Sequence, residues 1–322
     1  MHGEAPHLVA EVSAQRCLVA AAAPNRASLT DHARFRTGDF PSTVAAINAY
    51  LNALPNRPSR AAVAICCPVH DGEGAFQHPS WQIGAAQLRR ELGLDDIVLI
   101  NDVAARALAV ARLDIRQFHA IGPAGQPCFT GVSAVASAGQ GLGLAGLDHE
   151  AGVLTPSEAG HIGLSPETDF EEQFLHMWRP RLGRVSREHM LSASGLTRIY
   201  LSLAELSGET TAILNALEVA ARAQAATDAR AVAAVEIYCG AMASFAGDAA
   251  LMLNAKRVVL AGAFPRMLLD KLDRPAIRER FEKRGPRPGY MQAIPLFVTH
   301  APHLGLIGAQ LALNTAPTTT LH

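Results

Sequence analysis

Asn101 and Asp102 stand where an apolar run, Ile97-Val98-Leu99-Ile100, gives way to the alanine- and leucine-rich stretch 103–111. The pattern predicts a buried strand delivering two polar side chains to the start of a helix. In open α/β sheets that is where ligands bind. A carboxylate there can take the proton of a substrate hydroxyl while an amide orients the substrate. The plainer use of either residue is to cap the helix. Four further places offer chemistry. Gly139-Gln140-Gly141-Leu142-Gly143 is a glycine-rich bend between two apolar runs, read either as a tight hairpin with glycines at positive φ or as backbone that approaches a phosphate. Glu158 and His161 share the short segment Ser157-Glu158-Ala159-Gly160-His161, where surface or capping roles are the alternative. Glu188 follows the N-cap-type residue Ser186, so simple compensation of a helix dipole competes with a binding role. Gly262 ends the apolar run 256–261.

The rest of the chain must position these groups. At 322 residues with 49% hydrophobic and 18% charged residues, it can bury one large or two ordinary domains. A net charge of -1 offers no electrostatic reason for nucleic acid or an anionic membrane as partner. The five cysteines are odd in number and contain no CxxC pair, which predicts buried thiols in a reducing compartment, not a disulfide frame or zinc site. Residues 1–7 lack a basic-then-apolar leader, and the apolar stretches are strand-sized or interrupted, so a cytoplasmic protein without a membrane span is expected. Strands are predicted over 8–12, 17–23, 61–67, 97–100, 132–136, 144–147, 256–261 and 294–299. Helices are predicted over 41–54, 83–92, 206–227, 231–253 and 305–313, and loops at 122–127 and 286–289. Phe170, Phe174, Met177 and Trp178 share one helical face and read as core, and 315–322 reads as a frayed tail. Strands alternating with helices predict an α/β layer with a mixed sheet.

Taken together, residues 61–313 resemble the bacterial glucokinases of the hexokinase/actin-like ATPase fold. The resemblance rests on Ile100-Asn101-Asp102, on Ser157 through His161, and on Val185-Ser186-Arg187-Glu188-His189-Met190-Leu191-Ser192 with Gly195-Leu196. It also rests on Val258-Val259-Leu260-Ala261-Gly262 with Pro265-Arg266, and on the closing run from Ile294 to Gly308. It implies a two-lobed, ribonuclease H-like α/β fold with a cleft between lobes. One lobe would span 1–104 completed by 303–322, the other 105–302 with a helical insertion. It further implies glucose or a similar hexose as substrate, ATP with Mg²⁺ as donor, and a homodimer. Carried over position by position, Asn101, Asp102, Glu158, His161 and Glu188 would bind the sugar, with Asp102 as the base. Gly139, Gln140, Gly141, Gly143, Gly262 and Glu11 would face the nucleotide.

The chain departs from the family on the nucleotide side. Where the family carries Asp-x-Gly-Gly-Thr-Asn, this chain has Glu11-Val12-Ser13-Ala14-Gln15-Arg16, which lacks both glycines and the threonine and lengthens the carboxylate by a methylene. Gln140 stands in place of a family threonine, Ala159 in place of the first glycine of a Gly-Gly-His run, and His78 in place of an asparagine before Trp81. Arg16 offers charge as a substitute phosphate contact. Phosphoryl transfer depends on positioning and electrostatics, so two functions are expected from this pattern. One is a hexose kinase of reduced turnover, moving the ATP γ-phosphate to the 6-hydroxyl of glucose. The other is a non-catalytic glucose-binding or regulatory member of the family.

Overall fold

The computed structural model describes residues 6–24, 29–74, 83–123, 130–285 and 288–315. The expectations for His78, Trp81, Cys128, the 1–5 segment and the 316–322 tail lie outside the described residues. The chain divides into two compact units, 1–113 with 301–322, and 114–300.

In the first unit β1 (His7–Val12) and β2 (Arg16–Ala22) form a hairpin, joined by β3 (Leu29–Arg36), a strand with no counterpart in the sequence pattern because none of its positions is fully buried. Helix α1 (Thr43–Leu51) follows, capped by Ser42, then β4 (Arg60–Ile65). Three two-residue strands, β5 (Val69–His70), β6 (Glu73–Gly74) and β7 (Ile83–Gly84), make a separate small sheet. Helix α2 (Ala85–Leu92) stops at Gly93 in the left-handed conformation, and β8 (Asp96–Asn101) leads straight into α3 (Asp102–Val110). The main sheet runs β3-β2-β1-β4-β8, with β1, β4 and β8 parallel. Every residue of central β1 is buried, as expected for a strand covered on both faces. Leu8, Ala10 and Val12 pack with Ile47, Leu51, Leu88 and Leu92 on one face, while Val9 packs with Leu306 on the other. By strand alternation Glu11 shares the face of Val9. The C-terminal helix, Leu304–Thr315, covers that face beside α3. Its approach to α3 is backbone to backbone: a Cβ at Gly308 would lie 1.7 Å from the Ala105 carbonyl oxygen. A boundary at 104/105 would cut α3, which stays whole within the first unit.

The second unit carries β9 (Phe118–Ala120), β10 (Val132–Ala138), β11 (Leu142–Asp148) and β12 (Val153–Ser157), completed by β13 (Arg257–Ala261) and β14 (Leu296–Thr299). The sheet order is β12-β11-β10-β13-β14-β9, with β10, β13 and β14 parallel. Helices α4 (Asp169–Leu182), α5 (Arg187–Leu191), α6 (Ala193–Leu206), α7 (Ala216–Gln224) and α8 (Ala229–Met252) follow β12. The helix expected over 206–227 is instead broken. Gly208, at φ +66°, ends α6, and Asn215 opens α7 with a capping box to Glu218. Among the described residues, helix α8 is the one helix long and apolar enough to cross a membrane, but 67% of its apolar window is buried inside the unit. It is the core helix, burying Val235, Tyr238, Met242 and Phe245. Phe174 is fully buried beside it, as its helical face predicts. Short helices α9 (Ala263–Met267), α10 (Leu269–Leu272), α11 (Pro275–Glu282) and α12 (Pro288–Gln292) connect β13 to β14; the last falls partly where a loop was expected. Among the described residues Cys17, Cys66, Cys67 and Cys239 are not joined in disulfides. Burial pushes Cys17 and Cys239 up to about 12. Cys66 departs from expectation: it is exposed, at the end of β4, where the chain leaves the sheet.

Candidate active site

In the first unit, Asn101 performs the capping role. Its Oδ1 accepts from the backbone N–H groups of Val103 (3.0 Å) and Ala104 (3.1 Å), and its Nδ2 donates to the Cys67 carbonyl at 3.2 Å. These bonds fix the strand-to-helix turn and set the direction of the next residue. Asp102, in the first turn of α3, is bound by the guanidinium of Arg106 one turn along. The same guanidinium reaches Glu11 Oε1 at 2.5 Å through Nη2. Sequence reasoning missed Arg106, although its i,i+4 spacing from Asp102 on a helix was the available signal. Burial by itself lowers the proton affinity of Arg106, but Asp102 and then Glu11 more than reverse this, and the net shift is upward. Glu11, 7% exposed in an otherwise apolar strand, is thereby satisfied. Arg16 adds a longer contact to Glu11, 3.9 Å.

The hairpin at 13–16 is a closed turn. Ser13 N donates to the Arg16 carbonyl at 2.9 Å, and Thr37 ties down the carbonyls of Ala14 (Oγ1, 2.6 Å) and Gln15 (N, 3.2 Å). The Ser13 amide is therefore spent inside the turn.

In the second unit Glu188 does more than compensate a dipole. Its Oε2 accepts from the Leu142 backbone N–H at 2.9 Å and fills the space beside Gly141, where a Cβ would lie 2.7 Å from that oxygen. Ala193 N donates to the Gly139 carbonyl at 2.8 Å, and Gly139 N to the Gly141 carbonyl at 2.9 Å. The bend over Gly139-Gln140-Gly141 is thus clamped from the starts of α5 and α6. The expectation of positive φ fails here, since Gly139, Gly141 and Gly143 are absent from the positive-φ glycines. At Gly141 the missing side chain makes room for Glu188; at Gly139 an added Cβ would meet nothing within 4 Å, so the backbone is open. Gly143 lies in β11 opposite Ser137. Gly262 does need positive φ, +98°, and an added Cβ there would be 2.3 Å from the Ala138 carbonyl. The turn after β13 and the glycine bend after β10 are therefore side by side.

Glu158 and His161 lie on a single 3-10 turn after β12, with Oε2 and Nε2 3.7 Å apart and both side chains at least half exposed. Gly160 makes that turn possible: a Cβ on it would sit 1.9 Å from the Leu142 carbonyl oxygen. The 3-10 turn, the glycine bend and Glu188 thus all converge on Leu142. Behind Glu188, buried Arg187 pairs with Asp248 of α8, and Arg284, Glu167, Arg280 and Glu171 extend the ion network. The sequence offered no spacing rule for these partners, which come from distant elements.

The glycine bend and Gly262 fit a nucleotide phosphate chain, because open backbone at Gly139 permits close approach. A protein cage for Mg²⁺ does not fit. No group of three or more His, Cys, Asp or Glu residues suited to a metal occurs among the described residues, and Glu11 is engaged by Arg106.

The two α/β units, the carboxylate at a strand-to-helix turn and the glycine bend between β10 and β11 match the actin-like ATPase fold of the sugar kinases. Comparison with known proteins narrows the class. The model of the Glucokinase family matches residues 8–316. A glucokinase of Caulobacter sp. (strain K31) is 35% identical over 290 residues, covering 89% of this chain and 88% of the relative. The crystal structure of a glucokinase from an Antarctic psychrotroph superimposes with a TM-score of 0.81 at 28% identity, covering 97% of this chain and 99% of the other. A ROK family glucokinase from Streptomyces griseus, solved with glucose and AMPPNP, shares the fold at TM-score 0.67 and 16% identity, covering 95% of this chain and 98% of the other. The chain belongs to the glucokinase family.

Proposed function

We propose that the protein is a glucose 6-phosphotransferase that uses ATP. Asp102 acts as general base, and Asn101, Glu158, His161 and Glu188 meet the other hydroxyls of the sugar. A hexose presents hydroxyls that each donate and accept, and two carboxylates, an amide and an imidazole are chemically matched to them. The observation that carries the reading is the placement of Asp102: it opens α3 at the end of β8, with Oδ2 held by Arg106. Its other oxygen, Oδ1, takes the proton of the 6-hydroxyl. The hydroxyl oxygen bonds to the γ-phosphorus as the bond to the ADP oxygen breaks, leaving glucose 6-phosphate, ADP and a proton on Asp102. Gly139, Gln140, Gly141, Gly143 and Gly262 are the nucleotide side. Mg²⁺ bound to the nucleotide would supply neutralisation of the phosphate charge. Glu11, held by Arg106, bears on the base and not on the nucleotide. A homodimer is part of the same reading, and light scattering of the purified protein checks it.

The test is a coupled phosphorylation assay beside calorimetric titration with glucose. Glucose turnover that depends on ATP is expected. Asp102→Asn lowers kcat by roughly 10²- to 10⁴-fold, the usual worth of a general base, while glucose still binds. Glucose binding with no turnover on any nucleotide would return the chain to the non-catalytic, sugar-binding role.

A further inference from the structure

Arg106 is where the two halves of the first unit's chemistry meet. One guanidinium binds Asp102 through Nη1 and Glu11 through Nη2, and these carboxylates come from different elements, the start of α3 and the end of β1. All three side chains are largely withdrawn from solvent, at 12% exposure for Arg106, 8% for Glu11 and 17% for Asp102. Glu11 is confined from a second direction as well. A Cβ at Gly305, in the first turn of the C-terminal helix, would fall 2.3 Å from Glu11 Oε2, so the helix backbone leaves just enough room for that oxygen. The carboxylate is packed between a guanidinium and a helix start and cannot swing elsewhere without breaking both contacts. A guanidinium bridging two fixed carboxylates, one donor group to each, is a rigid arrangement, and it favours arginine over lysine.

We propose that Arg106 is a positioning residue for phosphoryl transfer: anchored by Glu11, it fixes the carboxylate of Asp102 in the orientation that receives the substrate proton. The proposal rests on the assignment of Asp102 as base and deepens it. Glu11 in this arrangement is the anchor of the base, not a contact for metal. The longer side chain at this position has a use, since the carboxylate reaches across to α3. An unanchored Asp102 would still lie beside the hexose but would sample other rotamers, and a misplacement near 1 Å can cost on the order of a hundredfold in rate.

Arg106→Met, Arg106→Lys, Asp102→Asn and the double variant Arg106→Met/Glu11→Gln are assayed for turnover, glucose binding by calorimetry and thermal unfolding. Arg106→Met is expected to lower kcat at least about tenfold while glucose Kd stays within about threefold, the signature of an interaction that matters in the transition state. Arg106→Lys recovers part of that kcat, because an ammonium can hold one carboxylate at a time. The double variant removes Glu11, the more buried of the two carboxylates that lose Arg106 in Arg106→Met. Its thermal stability therefore recovers toward wild type, while kcat stays low. Recovery of both together would make Arg106 merely structural and overturn the proposal. So would an Arg106→Met enzyme with kcat within twofold of wild type while Asp102→Asn is inactive. Wild-type turnover by Asp102→Asn would instead remove the base assignment itself.

Discussion

Gly160 shows how a single missing side chain holds part of the candidate site together. The turn bearing Glu158 and His161 lies against the Leu142 carbonyl, and a Cβ at Gly160 would stand 1.9 Å from that oxygen. Neither neighbour is a flexible side-chain end; both are backbone. Gly160→Ala must therefore push the turn away from β11, at a cost of about 1–3 kcal/mol, the usual penalty of overpacking. The expected outcome is a lower melting temperature together with a several-fold higher KM for glucose, read by calorimetry and steady-state kinetics. An unchanged KM would detach Glu158 and His161 from the sugar. Asn101 makes a related point at the same scale. Capping and substrate recognition looked like competing uses, yet its Oδ1 caps α3 and its Nδ2 binds Cys67. The cap gives the turn its rigidity, and the turn places Asp102. Which residues could do chemistry was legible from their types and order. Which atoms are already engaged was not, because a hydrogen bond such as that from Leu142 N to Glu188 joins segments with no shared sequence spacing.

At the scale of elements, α8 organises the second unit, and its start is held by Asp228. The carboxylate accepts from Ala231 N at 3.1 Å and from the Tyr200 hydroxyl at 2.9 Å. Burial would raise its proton affinity, but these bonds, with Arg222 nearby, prevail and hold the carboxyl below its ordinary value. Asp228→Ala is expected to cost about 1–2 kcal/mol at neutral pH, the upper range for loss of an N-cap. The sign of the pH dependence follows from the lowered value. The ionised carboxylate is favoured in the fold, so its contribution is present above the unfolded carboxylate value, near 4, and is lost as pH falls through the lower folded one. Urea melts of wild type and variant should therefore differ at neutral pH and converge only in acid. A gap independent of pH would show that packing, not the charged cap, supplies the difference. Most elements were legible because buried strands and amphipathic helices write their period into the chain. The break between α6 and α7 is not legible in the periodicity, since its terminating signals, Gly208 and the Asn215–Glu218 box, are local. Strand β3 was missed for the opposite reason: it is mostly polar and partly exposed, so it carries little alternation to detect.

At the scale of the whole molecule, the last helix completes the first unit. Leu306 packs on Val9, Ala20 and Ala22, and Gly308 brings the helix backbone against Ala105 of α3. Gln310 Nε2 reaches the Ala23 carbonyl, at 2.5 Å, and Gly305 borders Glu11. Deleting 304–322 strips the cover from the β1 face and from α3, the helix that carries Asp102. Loss of solubility, or of cooperative unfolding together with activity, is the expected result, checked by expression, circular dichroism and assay. A soluble, active truncation would contradict this account of the unit's core. The sequence by itself determined the class of the molecule, the order of its elements and the identities of its candidate chemical groups, because burial and helix period act locally and family motifs survive as short runs. Only the tertiary structure decided what those groups are bonded to. It placed Arg106 between Asp102 and Glu11, closed the hairpin over 13–16, and set Glu188 against the glycine bend. The physical reason is that a buried charge must find a partner wherever the fold brings one, and the partner's place along the chain does not enter into the energy.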